Sequence, residues 1–318
     1  MEPRTNTFLQ RVRDCVKSVL PTTTKTCIWL IKLTVAVSFA MMLLRYFDLL
    51  PYVSRLISPA FKYIGLPGSA ALAYLTGYFV NCYSGMAVLV TLGLDWRAIT
   101  ILSTMILCSH SMIVELAVLR KTGASVLRMV LIRTLGAFLL AWVLNMILPG
   151  GAQGTVDALA EPNQLPFLDL LREWALSTLK LVILMVVIIY GLNILQRLLG
   201  EFGIMKLIAG LLSPLMIFFG IPRNCAFMWL VANVVGLSYG AAAMLDEVAR
   251  GGVTRRDLLL LDSHIAVCHS NVEDLILFSA LGGVWWIMLL IRMALAFVLV
   301  WEHRLEFYLK DKFFAKKS

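Results

Sequence analysis

Charge is scarce in this sequence. Only 15% of its 318 residues are Asp, Glu, Lys or Arg, against 60% that are hydrophobic. A soluble domain carries about a quarter charged residues, so the composition excludes a soluble globular protein. Cysteine is sparse and unpatterned. The six thiols, Cys15, Cys27, Cys82, Cys108, Cys225 and Cys268, form no CxxC pair and no disulfide framework. Most of them read as buried small hydrophobes. There is no P-loop and no HExxH, so no enzyme is expected and no cofactor is implied. The net charge of +9 lacks the clustered basic face that nucleic acid requires. The basic residues sit in loops, in a charged N-terminal segment and in the tail "KDKFFAKKS", as expected of cytoplasmic loops. Residues 1–25 do not read as a cleavable signal, because no short apolar core precedes a small-residue cleavage site.

What is abundant is long apolar sequence. Crossing a bilayer takes about 20 mostly apolar residues. Windows near 27–50, 70–94, 98–119, 127–148, 177–199, 225–244, 257–280 and 284–301 qualify. The runs are continuous rather than alternating, which indicates helices and not a barrel. The expected fold class is an all-α polytopic membrane protein.

The chain is written twice. "LISPAFKYIGLP" at 56–67 matches "LLSPLMIFFGIP" at 211–222, an offset of 155. "HSMIVEL" at 110–116 matches "HSNVEDL" at 269–275, an offset of 159. The difference falls in "DEVARGGVTRR", where a loop is expected. Asp95 and Thr254 stand where short polar side chains cap the next helices. Basic loops alternate between the copies: "RKTGASVLR" follows the first HS span, while "SALGG" follows the second. Before the HS span the bias reverses, "LDWR" against "EVARGGVTRR". Placing basic loops in the cytoplasm inverts one copy relative to the other. Both termini are then cytoplasmic and the acidic linker is external. The expected organisation is a basic amphipathic segment (1–28), repeat 1 (29–148), an external linker with an amphipathic segment (149–176), repeat 2 (177–302) and a basic cytoplasmic tail (303–318).

Inverted repeats are a signature of secondary transporters, and interrupted segments at matching places point to the transport site. The Ser-Pro…Gly-x-Pro segments are the expected breaks. Polar residues follow in both copies, among them Asn81, Tyr83 and Ser84, then Asn233, Ser238 and Tyr239. The strongest signal is the repeated His-Ser-plus-acid pattern. Ionisable groups within a span cost about 2.5–3.5 kcal/mol each on insertion scales, and they recur here at one spacing. His110, Ser111, Glu115, His269, Ser270, Asn271, Glu273, Asp274, Asn81 and Asn233 are the expected lining of a substrate site. If each HS span is one continuous helix, positions four apart share a face. His269 then meets Glu273, a pair suited to a coupling proton or sodium. Cys108 with His110, and Cys268 with His269, diverge on a helix, so a metal site needs ligands from both copies. Whether metal binds is left open.

The run "YGAAAMLDEVARGGVTRRDLLLLDSHIAVCHS" resembles the Gate, or nucleoside recognition, domain, with the first copy a more diverged version. The resemblance extends from about residue 30 to 300. That family includes spore maturation proteins A and B and the membrane part of ferrous-iron transporter B. It is similar, more distantly, to concentrative nucleoside transporters. The resemblance implies broken helices, re-entrant hairpins and solute movement across a bacterial inner membrane, without fixing a ligand. The iron transporter's GTPase domain has no counterpart here. The leading expectation is alternating-access transport of a small polar solute, nucleoside-like or an organic ion. Divalent metal transport is the first alternative, and a non-transporting assembly factor the second. The expected partners are the substrate and the lipid bilayer, with a homo-oligomer possible and no nucleic acid.

Overall fold

The structure, a computed structural model, describes residues 7–47, 49, 59–150 and 166–314. Among them the ordered elements are helical. Each half opens on a long helix, α1 (Phe8–Tyr46) in the first and α7 (Phe167–Glu201) in the second. These two helices run antiparallel along their whole length. Arg11 pairs with Glu201 at 3.0 Å, the Thr24 and Tyr190 hydroxyls lie 2.6 Å apart, and the Tyr46 and Phe167 rings are 5.0 Å apart. At 1.5 Å per residue, 39 residues reach about 58 Å, well beyond a hydrocarbon core of about 30 Å. No helix break occurs near residue 28, so the expected N-terminal segment is the first part of α1. In the same way α7 already begins at Phe167, inside the expected linker segment; residues 151–165 of that linker lie outside the described residues.

Next come short helices where a glycine-broken span was expected in each copy. In the first copy α2 (Ala70–Phe79) and α3 (Cys82–Leu89) form a hairpin. In the second, α8 (Ile204–Phe218) leads to the hairpin α9 (Ala226–Val234) and α10 (Leu237–Ala249). Ten residues reach only about 15 Å, so the windows at 70–94 and 225–244 fold back instead of crossing. Glycine permits the close return. A Cβ on Gly85 would lie 3.0 Å from Gly77 Cα, and one on Gly240 would lie 2.6 Å from Ala232 Cβ. The hairpin tips are Asn81, whose side chain caps α3 by accepting from Ser84 N at 2.8 Å, and Gly236, at φ +114°.

The Ser-Pro…Gly-x-Pro segments break at their glycines rather than at their prolines. Pro214 sits inside α8, which continues to Phe218. The chain turns instead at Gly220, φ +75°, and at the equivalent Gly65, φ +72°. Ser58 lies outside the described residues.

The HS spans break as well. α4 (Trp96–Ser109) and α5 (Met112–Thr122) meet at a 42° bend. α11 (Arg255–Ile265) and α12 (Glu273–Ala280) are separated by residues 266–272. Both expected caps are present: Asp95 accepts from Ala98 N at 2.7 Å, and Thr254 forms a capping box with Asp257. Each copy closes on a long helix, α6 (Val126–Ile147) and α13 (Trp285–Phe314). The second runs on through the expected tail. Of the described helices, α1, α6, α7 and α13 are each long and apolar enough to cross a membrane, and α4–α5 qualifies as one bent span.

The two HS spans lie side by side and antiparallel. Val284 N donates to Thr100 Oγ1 at 3.1 Å, His269 meets Glu115 at 3.2 Å, and Thr122 donates to Asp262 at 2.7 Å. As residue number rises along one span it falls along the other. The same spans align without a gap at the offset of 159. A direct repeat packed side by side would give parallel contacts, whereas antiparallel pairing is what an inverted repeat would give.

Candidate functional site

The site forms where the two breaks meet. Ser111 and Ser270 both adopt φ +50°, the only positive-φ non-glycine residues among those described. Left-handed backbone costs an ordinary residue roughly 1–2 kcal/mol, and it occurs twice at one repeat position. Each break is tied to its own hairpin: Ser111 N donates to Gly77 O at 3.0 Å, and Ser270 N to Ala232 O at 3.2 Å.

Breaking a helix at membrane depth strands carbonyl groups that lipid cannot satisfy. An arginine from the closing helix of each copy takes them. Arg133 on α6 donates to Cys108 O at 3.2 Å and His110 O at 2.8 Å. Arg292 on α13 donates to Val267 O at 3.0 Å and His269 O at 2.9 Å. Both arginines are fully buried. Their positive charge also suits the negative end of α4 and α11. The expected site omitted both, although "IRTLGAF" at 132–138 and "IRMALAF" at 291–297 repeat at the HS offset.

His110 and His269 therefore lie at breaks rather than mid-helix, and this changes their partners. Each Nδ1 faces the carbonyl four residues back, Ile106 O at 3.1 Å and Ile265 O at 2.6 Å. A carbonyl only accepts, so each Nδ1 carries the proton and each Nε2 of a neutral ring presents a bare lone pair. Both Nε2 atoms point at Glu115 Oε1, from 3.1 Å and 3.2 Å, and the rings lie 5.2 Å apart. His269 does not pair with Glu273. That carboxylate accepts a short hydrogen bond from Tyr83 on the opposite hairpin. Helical i, i+4 spacing fails because residues 266–272 are not helical.

Asp274, the repeat equivalent of Glu115, lies 3.5 Å from His110 Nε2 and accepts from Cys82 Sγ at 3.3 Å. Cys82, His110, Glu115, His269 and Asp274 thus form one buried cluster drawn from both copies. Asn271 and Asn233 stand beside it. Asn271 Nδ2 donates to Asn233 Oδ1 at 2.5 Å, while its own Oδ1 accepts from Arg292 at 3.0 Å. Ser111 and Ser270 act through their backbone, and Asn81 is a cap at the hairpin tip.

Paired hairpins, paired broken spans and a buried polar cluster between them define a helical membrane protein of the internally duplicated, transport-related kind. Comparison with known proteins agrees. The profile of the family described as "Gate: Nucleoside recognition" matches residues 27–126. YvoD of Bacillus subtilis strain 168, described as an uncharacterized membrane protein, is 31% identical over 272 residues, covering 84% of this chain and 87% of that one. The chain belongs to the Gate family of membrane proteins. The profile falls on the first copy, whereas the quoted resemblance was carried by the second. No solved structure matches the chain.

Proposed function

We propose that this protein is a membrane carrier for a small cation, whose binding point is the cluster between the two breaks. One observation carries the reading. Two imidazole lone pairs converge on Glu115 Oε1; Arg133 offsets the carboxylate's charge through the other oxygen, but lone pairs facing one oxygen still repel it unless a proton or metal ion lies between them. A proton on either ring or a metal ion meets that need. The arrangement favours the divalent-cation alternative over a nucleoside-like solute. Organic ligands occupy pockets of about 300–1,000 Å³. The cluster's two triads, Cys82–His110–Asp274 and His110–Glu115–His269, each hold their ligand atoms within 4.8 Å of one another. Cavities of ≈ 380 Å³ beside Lys206, Asp246 and Arg250, and ≈ 500 Å³ beneath Trp96 and Trp286, are lined by none of the cluster residues.

The mechanism follows from the duplication. Each hairpin plugs one approach to the cluster, and rocking one copy against the other opens one approach while closing the opposite one. The basic loops support a cytoplasmic position for both termini, and the Bacillus relative supports a bacterial cytoplasmic membrane. The test is uptake into proteoliposomes containing a fluorescent metal indicator, with radiolabelled uridine measured in parallel. Uptake of a divalent ion by the wild type, abolished in the His110→Ala/His269→Ala variant, is the expected result. Uridine uptake without metal uptake would overturn the reading.

A further inference from the structure

The cluster is not symmetric, and its asymmetry indicates where an ion binds. Glu115 is neutralised by Arg133, 2.5 Å away. Its counterpart Asp274 has no arginine within salt-bridge distance among the described residues. Arg292, the counterpart of Arg133, instead directs Nη1 to Asn271 Oδ1 at 3.0 Å, and Asn271 stands where the first copy has Met112. One carboxylate is therefore compensated and the other is not. Around the uncompensated one are a thiol and a bare imidazole nitrogen.

We infer that Cys82 Sγ, His110 Nε2 and an Asp274 carboxylate oxygen are the ligands of one divalent transition-metal ion of borderline softness, in the class of zinc or ferrous iron. This rests on the reading of the cluster as a cation site and narrows it. Tetrahedral zinc has bonds of about 2.3 Å to sulfur, 2.0–2.1 Å to nitrogen and 2.0–2.2 Å to oxygen. Two such ligands at the tetrahedral angle are then separated by roughly 3.4–3.6 Å. Cys82 Sγ lies 3.3 Å from Asp274 Oδ1, and His110 Nε2 lies 3.5 Å from Asp274 Oδ2. One ligand atom from each of the three residues lies within 4.8 Å of the others, so small side-chain adjustments bring the three to tetrahedral spacing. The rest of the ligand set is consistent. The Nδ1–H bond to Ile106 O fixes the His110 tautomer, a role second-sphere acceptors play for metal-bound imidazole. A thiolate favours zinc, iron, cobalt or copper over magnesium, calcium or manganese. Glu115 Oε1, 3.1 Å from His110 Nε2 and held by His269, is the nearest further oxygen ligand among the cluster residues. On binding, the sulfur–hydrogen bond of Cys82 breaks, a sulfur–metal bond forms, and the proton leaves to water.

Cobaltous ion added to the purified full-length chain in detergent tests this directly. The expected result is one ion per chain and a thiolate-to-cobalt charge-transfer band. That band is absent in Cys82→Ser and retained in Cys108→Ser, and zinc affinity falls at least tenfold in Cys82→Ser while its thermal unfolding is unchanged. A second readout needs no variant: zinc, but not magnesium, protects Cys82 of the wild type from a membrane-permeant alkylating reagent. Cobalt binding without a thiolate band, or alkylation of Cys82 undiminished at saturating zinc, overturns the inference. Those outcomes are separable from failure of the carrier reading, which is judged by flux. Uptake that survives Cys82→Ser but not His110→Ala/His269→Ala rejects the thiolate ligand and keeps the carrier.

Discussion

Arg133 makes both contacts that the site needs: it satisfies the carbonyls stranded by the break and it neutralises Glu115. Removing one member of a buried pair leaves the other charge uncompensated, at a cost of about 3–5 kcal/mol. Arg133→Met is therefore expected to lower the thermal unfolding midpoint in detergent sharply. Arg133→Met/Glu115→Met is expected to recover part of that loss, since no orphan charge remains. A double variant as unstable as the single would show that the carbonyl bonds alone matter. Ser111 and Ser270 make a second residue-scale case. Glycine tolerates φ +50° without the penalty a side chain meets. Ser111→Gly is expected to unfold at or above the wild-type temperature, and Ser111→Val below it. The doubled His-Ser and acid could be read from the sequence alone, because the repeat exposed it. The partners could not. Spacing predicted His269 with Glu273, but the helix it assumed is interrupted at that point. Cys82 looked like a packing residue, because a lone thiol in an apolar run carries no pattern.

At the scale of the element, the hairpins depend on how closely their arms approach. Gly240→Ala is expected to destabilise, since its Cβ would sit 2.6 Å from that of Ala232. Adding Ala232→Gly should recover part of the loss, although Ala232 Cα at 2.9 Å still crowds the site. Gly85→Ala has no such remedy, because its obstacle is backbone at Gly77. Unfolding midpoints across these variants decide the point, and an unchanged Gly85→Ala would refute the close crossing. The aligned glycines were visible in the sequence. That they mark a return rather than a kink was not, since a run of apolar residues does not record which way the chain goes next. The end of α13 is pinned differently. Arg256 holds Asp311 through bonds of 2.8 and 2.5 Å at the surface. That hydrogen bond, and then the arginine's charge, keep the Asp311 carboxyl below its ordinary value. A lowered carboxylate stabilises above its unfolded-state value and loses its effect as pH falls through the lowered one. Proteolytic release of the last turns of α13 should rise below the ordinary aspartate range, and Asp311→Asn should show that release already at neutral pH.

For the whole molecule, the antiparallel contacts make a prediction about sidedness. Lys121 and Ala280 are equivalent at the repeat offset of 159, and both are exposed. In a background lacking other reactive thiols, Lys121→Cys should react with an impermeant maleimide from one side of a sealed vesicle and Ala280→Cys from the other. Reaction from the same side would sink the inverted arrangement. The duplication was the most legible part of the sequence, because a repeat offset holds over many residues and survives local error. The site was legible only in part, because half of its contacts join copies roughly 160 residues apart and no periodicity within either copy encodes them.

The two imidazole rings lie 5.2 Å apart, and each is the other's repeat equivalent. The pseudo-twofold axis therefore passes between them. In a carrier built from inverted copies, the inward-open form is approximately the outward-open form turned about that axis. A point on an axis is unmoved by rotation about it. For the proposed carrier, a cation bound beside that axis would stay near one depth throughout the cycle while the barriers above and below it trade places. Membrane voltage would accordingly do its work along the two access paths, and the central ligands would feel the same fraction of the field in either state.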